Sequence, residues 1–163
     1  MCEVKVYLTN LAKYNAGELF GKWVDLPLTE EELDAELREV LGTDEEYFIT
    51  DYEAPFDIHE YENLRDLNSF ADELHIKSEY DVERIIYLLK NVSNDWQYAL
   101  NNYEDVVFYK DMTLEDVARD LVEEGLFGDL SDNIKSYIDF ERLGDHLSMD
   151  GYHETEKGTF WCS

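Results

Sequence analysis

Acidic residues alternate with aromatic and aliphatic residues along this chain, and that interleaving constrains the fold more than any other feature. The stretch DEEYFITDYEAPFDIHEYENL, residues 44–64, is rich in Tyr, Phe and Ile, is crowded with Asp and Glu, and contains no Lys or Arg. An unpaired carboxylate is costly to bury, so each acid must stay at the surface while its apolar neighbours pack inward. We therefore expect a folded frame that displays carboxylates at fixed positions.

The acidic surplus runs along the whole chain rather than forming a tail. Forty Asp and Glu oppose thirteen Lys and Arg, which gives a formal net charge of −27. Between Lys22 and Arg65 the only cation is Arg38, against fifteen acids. A net charge of about 2–8 keeps a small domain soluble, and the excess destabilises the compact state through self-repulsion. The surplus therefore indicates a requirement other than solubility.

The first third of the chain predicts short strands and one helix. Period-two alternation predicts a strand over residues 3–9 and a second over residues 23–26, in which Trp23 is a candidate core residue whose replacement by Ala should act through folding. A helix is predicted from a cap at Thr29 to a glycine at Gly42, and alternation resumes over residues 46–52.

The middle third is helical by periodicity, and the last third is mixed. Three helical segments are predicted over residues 61–75, 78–91 and 94–103. They are followed by a strand at 105–110, a capped helix at 113–124, a second helix from 131 to 144 and a closing hairpin within 146–162.

This order predicts an α+β fold. We expect an elongated chain of three small units: an N-terminal α+β domain at 1–62 with a small antiparallel sheet and a helix, a central helical domain at 63–103 and a C-terminal α+β domain at 104–163.

Several acids occupy helix positions that local electrostatics does not favour. Asp116, Asp120 and Glu124 follow one another at four-residue spacing, and like-charge pairs at this spacing cost a few tenths of a kcal/mol each. Glu123 and Glu124 also lie at a helix C-terminus, where cations are preferred. We predict an acidic surface that comprises Glu30, Glu31, Asp34, Glu45, Glu46, Asp51, Glu53, Asp57, Glu60, Asp111, Asp116, Asp120, Glu123, Glu124, Asp129 and Asp132.

Anions held rigidly at high density resemble duplex DNA, which carries about one charge per 1.7 Å of its axis. A protein that grips DNA through Lys and Arg could bind such a surface instead. Counterion release would drive much of that contact, so it should depend strongly on salt.

Four segments resemble the ArdA antirestriction family. They are VYLTNLAKYNAGELFGKWVDLP at 6–27, EEYFITDYEAPF at 45–56, DVARDLVEEGLFGDLSDNIKSYIDFERLG at 116–144 and GYHETEKGTF at 151–160. The resemblance spans almost the whole chain and is weakest between residues 64 and 102. Where many members read Tyr-Gly-Arg-Asp-Leu, this chain has LGDHL at 143–147, a departure that bears on an ion pair or on a dimer contact.

The resemblance implies an inhibitor rather than an enzyme. Members are encoded by plasmids, conjugative transposons and phages and act in the bacterial cytoplasm. They are elongated three-domain chains that pair into curved homodimers. They mimic B-form DNA and occupy the DNA-binding groove in the methyltransferase core of type I restriction–modification enzymes, and some also affect modification. No cofactor, metal, membrane or nucleic-acid partner is implied.

The residues themselves offer no catalytic motif. His59-Glu60 lacks the spacing of a HExxH zinc site, Gly17 and Gly21 do not fit GxGxxG, and the two cysteines lie at opposite ends of the chain. An acidic protein-interaction or divalent-cation-binding protein unrelated to restriction remains the alternative.

Overall fold

The computed structural model describes residues 2–162, which form eight α-helices and two small antiparallel sheets. The predicted α+β class is confirmed, with about 48% helix and 20% strand. Within the described residues no helix is both long and apolar enough to cross a bilayer.

The first sheet has the order β2-β1-β3 and is antiparallel throughout. Its strands are β1 (Val4–Asn10), β2 (Gly21–Leu26) and β3 (Tyr47–Glu53). The alternation in β1 buries Val4, Val6 and Leu8, as predicted. A bulge between Tyr7 and Leu8 interrupts the β1–β3 register.

Two helices accompany this sheet. The short α1 (Leu11–Asn15) follows β1 directly and was not predicted from sequence. The helix α2 (Glu30–Leu41) begins and ends as predicted, because the Thr29 side chain accepts a hydrogen bond from the Glu32 amide. Gly42 ends the helix at φ 58°, a conformation that glycine adopts without the steric cost of a Cβ atom.

The helical middle contains α3 (Leu64–Ile76), α4 (Glu79–Asn91) and α5 (Trp96–Asn102). Asn63, Ser78 and Asp95 cap their N-termini.

The second sheet has the order β4-β6-β5. It consists of β4 (Val107–Lys110) and a hairpin of β5 (Tyr152–Thr155) and β6 (Gly158–Trp161). The helices α6 (Leu114–Glu123), α7 (Asp132–Lys135) and α8 (Phe140–Leu147) lie between β4 and the hairpin in sequence.

The single helix predicted over residues 131–144 is wrong. Ser131 caps only the four-residue α7, and a new helix begins after Asp139, whose side chain accepts from the Arg142 amide. Tyr137, in the interruption, is 87% exposed. Without an apolar stripe to bury, a continuous helix has no packing to stabilise it here. The predicted hairpin is also shorter than expected, because residues 146–150 belong to α8 and a 3₁₀ turn.

One continuous cluster of buried residues extends from the first sheet through α3 and α4 to Phe108 and Phe160 of the second sheet. The Tyr87 and Phe160 rings stack at 4.4 Å, and Phe108 stacks on Phe160 at 4.3 Å. A second, smaller cluster lies between α6 and α8. The first cluster joins helical and sheet elements into one packed frame.

Candidate protein-binding acidic surface

All forty carboxylates lie within the described residues, and none of them is buried. Eleven lie within 4.0 Å of a Lys or Arg nitrogen and a twelfth faces His146, so 28 of the forty have no such partner in residues 2–162. Most of the surface carboxylates are therefore not compensated by ion pairs.

The predicted surface acids of α2, Glu30, Glu31 and Asp34, lie in its first two turns. Glu30 and Glu31 lie in the first turn, where the helix dipole favours anions. Arg65 contacts Glu30 at 3.9 Å and forms an ion pair with Asp34. The side chain of Glu31 is exposed and has no ion pair within the described residues.

A buried asparagine fixes the acidic loop that follows α2. Asn10 is fully buried, and its amide nitrogen donates to the Val40 carbonyl at 3.1 Å and to the Asp44 carboxylate at 2.9 Å. The Leu11 amide donates to the Glu46 carbonyl at 3.0 Å. These bonds hold the adjacent acids Glu45 and Glu46 at the surface beside the end of β1.

The β3 strand and the segment after it carry four more predicted acids. In the strand register, Asp51 lies opposite Tyr7 and Glu53 lies opposite Lys5. Asp57 accepts from the Tyr52 hydroxyl at 3.3 Å. Glu60 lies beside β3, because its carbonyl accepts from the Ile49 amide at 2.8 Å.

In the C-terminal part, Asp116 has a structural role beside its charge. Its carboxylate accepts from the Thr113 amide at 3.1 Å while the Thr113 hydroxyl accepts from the Asp116 amide, which completes a capping box at the start of α6. Of the other acids in this region, Glu123 is 3.6 Å from Lys135. No ion pair within the described residues involves Asp111, Asp120, Glu124, Asp129 or Asp132, which lie in the turn after β4, on α6, at its end, in the following loop and on α7.

Asp120 and Glu124 also act on Tyr109, a partly buried tyrosine. Burial, together with the neighbouring Tyr152 and the charges of Glu124 and Asp120, raises the pKa of Tyr109 to about 12. The phenolate is disfavoured because it would lose water and face carboxylates.

The sheet register reveals a feature that the sequence interpretation missed. Trp23 is 42% exposed and contacts Tyr7 edge-on, with ring centroids 5.5 Å apart. The expectation that Trp23 belongs to the core is wrong, because β2 turns Val24 and Leu26 inward and Trp23 outward. The period-two pattern around Val24 carried this signal in the sequence.

A family model described as antirestriction protein (ArdA) matches residues 6–161 of the chain. A search of curated proteins finds no match to the chain.

Proposed function

The chain belongs to the ArdA antirestriction family, and from this premise we propose that it mimics B-form DNA and occupies the DNA-binding groove of type I restriction–modification enzymes. Restriction would be inhibited because the groove cannot hold DNA and the mimic together, and modification would be inhibited wherever both reactions use the same groove. The role is that of a binding protein without a catalytic step.

The observation that carries the proposal is the set of 28 carboxylates without a cation within 4.0 Å in residues 2–162. A capping box holds the Asp116 carboxylate, and the Asn10 bonds and the sheet register fix the backbone that carries Glu45, Glu46, Asp51 and Glu53. A partner would therefore meet charges that are already positioned, and would lose little affinity to ordering them.

The amount of charge suits a duplex-sized mimic. At the charge density of DNA, 27 net charges correspond to roughly 46 Å of duplex per chain, and about twice that for a dimer. Binding to a Lys- and Arg-lined groove would displace the cations condensed around the protein, as DNA binding does around a phosphate backbone.

A mimic of duplex DNA needs an extended anionic surface. We infer a homodimer of elongated chains in the bacterial cytoplasm, in which the units 1–62, 63–103 and 104–163 of each chain share the continuous cluster of buried residues. Dimerisation would extend the anionic surface along a groove built for duplex DNA.

The alternative, a divalent-cation-binding protein, has less support. Within residues 2–162 no group of three or more His, Cys, Asp or Glu side chains is arranged to hold a metal ion. A melting temperature that rose with Ca²⁺ or Mg²⁺ well beyond the effect of NaCl at matched ionic strength would favour this alternative.

The direct test is competition with duplex DNA for a type I methyltransferase core. We expect the protein to displace a labelled duplex, with an inhibition constant that rises steeply between about 50 and 300 mM salt. Tight inhibition that did not change over this range would contradict an electrostatic mimic, and failure to displace DNA from any type I core would contradict the proposal itself.

A further inference from the structure

An exposed aromatic groove crosses the outer face of the first sheet. In the β2-β1-β3 order, Trp23, Tyr7 and Asp51 form one row, since Tyr7 is the cross-strand partner of both others. Phe20 and Glu60 also line the groove, which has a volume of about 810 Å³. We call this site the outer-face groove.

Three aromatic side chains of the outer-face groove remain open to solvent. Tyr14 is 48% exposed, Phe20 41% and Trp23 42%, and the neighbouring Leu19 is 86% exposed. Contiguous exposed apolar side chains of this kind mark interaction sites on soluble proteins. A general acidic mimic needs no such patch, because charge alone could hold it in a DNA-binding groove.

Both charged residues that line the outer-face groove are acidic, and the cation Lys13 lies at its edge. Asp51 and Glu60 line it, neither forms an ion pair within the described residues, and no described Lys or Arg lines it. At its edge, the Nζ atom of Lys13 lies 4.0 Å from the centroid of the Phe20 ring. A cation therefore already rests on one of these rings.

Open aromatic faces beside unpaired carboxylates match the chemistry of an arginine side chain. The guanidinium stacks on aromatic rings and donates paired hydrogen bonds to carboxylates, whereas lysine offers only a point charge. A nucleic acid could also stack on exposed rings, but a chain of net charge −27 would repel its phosphates. A second copy of the chain docking here would bring Asp51 and Glu60 against equally acidic surface.

We propose that the outer-face groove binds an arginine-bearing apolar segment of the protein partner. The identity of that partner rests on the proposed function, while the arginine preference of the groove stands on its own residues. The contact adds an apolar, aromatic component to binding that duplex DNA does not provide.

The first experiment uses no restriction enzyme, so it decides the groove chemistry independently. The ¹⁵N-labelled protein is titrated with the blocked tripeptide Leu-Arg-Leu and with its lysine and citrulline counterparts, and the Trp23 indole N–H resonance is followed. We expect a saturable shift with the arginine peptide in the millimolar range, at least threefold weaker binding of the lysine peptide and no saturable shift with citrulline. Equal shifts with all three peptides, or no saturable shift with arginine, would overturn the proposal.

Variants locate the contact. Trp23→Leu keeps apolar bulk but removes the ring face, and Asp51→Asn removes one carboxylate; both should weaken the arginine peptide at least threefold. Tyr98→Ala is the matched control, because Tyr98 is 39% exposed on α5 and lies outside the groove. Thermal melts of each variant check that the fold is intact. If Tyr98→Ala weakened binding as much as Trp23→Leu, the assignment to this groove would be wrong.

The second experiment measures binding to a type I methyltransferase core over a range of salt. Trp23→Leu should raise Kd about tenfold at every salt concentration and leave the slope of log Kd against log salt unchanged, since it removes no charge. A core that failed to bind the unchanged protein would overturn the proposed function and leave the peptide result valid. If Trp23→Leu instead dissociated a dimer of this chain in light scattering, the groove would be a self-contact and the partner contact would be excluded.

Discussion

At the scale of single residues, the acids divide by what else they do. Asp116 completes a capping box and Asp34 pairs with Arg65, whereas Glu31, Asp51 and Glu124 have no ion pair within residues 2–162. A partner can bind the acids without an ion pair and leave the intramolecular contacts of the fold intact.

Neutralising one such acid should have little effect on partner binding. Glu31→Gln and Glu124→Gln should each weaken binding of a type I methyltransferase core by under about 1 kcal/mol, or about fivefold in Kd, because exposed charge pairs contribute little individually. Competition assays at fixed salt measure this. Complete loss of inhibition from either variant would indicate a discrete site instead of a distributed surface.

The buried Asn10 should be far less tolerant. Asn10→Asp keeps the shape but replaces the donor to the Val40 carbonyl and the Asp44 carboxylate with an acceptor. We expect a loss of at least about 2 kcal/mol in the free energy of unfolding, since buried acceptors lose their donor and two carboxylates meet. Urea denaturation measures it, with the exposed Asn133→Asp as the control for added charge alone. Equal stability of the two variants would contradict the anchoring role of Asn10.

The raised pKa of Tyr109 predicts that the free energy of unfolding decreases at alkaline pH. Its pKa is raised to about 12 in the folded protein, above the ordinary value of 10. The folded state therefore holds a proton that the unfolded chain releases, so stability is fully present below pH 10 and falls as pH rises towards 12. Denaturation midpoints between pH 9 and 12 should fall less steeply for Tyr109→Phe than for the unchanged protein. Identical slopes for the two proteins would contradict a raised pKa of Tyr109 in the folded state.

At the scale of elements, capping explains where several helices begin. Thr29, Ser78 and Thr113 each accept a hydrogen bond from an amide in the first turn, and each precedes an apolar periodicity that packs on the frame. In contrast, α7 has a cap at Ser131 but no buried residue, and it ends after four residues. A cap sets the start of a helix, but packing determines how far it extends.

The caps of α6 and α7, Thr113 and Ser131, should therefore contribute differently to the free energy of unfolding. Thr113→Ala should lower the free energy of unfolding by about 1 kcal/mol, because it removes a capping box on a helix that buries Val117, Ala118, Leu121 and Val122. Ser131→Ala should cost only a few tenths of a kcal/mol, since α7 contributes no buried side chain. Urea denaturation of the two variants compares them directly, and equal losses would contradict the packing argument.

At the scale of the whole molecule, the continuous cluster of buried residues opposes a net charge of −27. With most carboxylates unpaired, their mutual repulsion should be present in the native state and weaker in the expanded chain. Each functional charge therefore lowers stability slightly, and the apolar frame compensates.

Salt should accordingly stabilise the protein. Raising NaCl from about 20 mM to about 500 mM shortens the Debye length from about 20 Å to about 4 Å, and we expect the melting temperature to rise. Differential scanning calorimetry measures this, with a glucose series as a control for non-ionic solutes. A flat or falling curve would mean that the carboxylates are compensated in ways that the ion pairs do not account for.

The sequence by itself determined the elements whose signals are local. Period-two alternation gave β1 and β3, and helix periodicity with a side-chain cap gave α2, α4 and α6, because both signals arise from neighbours within a few residues. The sequence also determined that the acids stay outside, since an unpaired carboxylate is excluded from an apolar core whatever the topology.

Only the tertiary structure decided which distant groups meet. It joined Arg65 to Asp34 and Asn10 to Asp44, placed Trp23 opposite Tyr7 on the neighbouring strand, and ended α7 where no core was available to it. These outcomes depend on strand order, register and loop closure between residues far apart in the chain. No local pattern encodes them, because each contact gains its free energy only after the frame has closed.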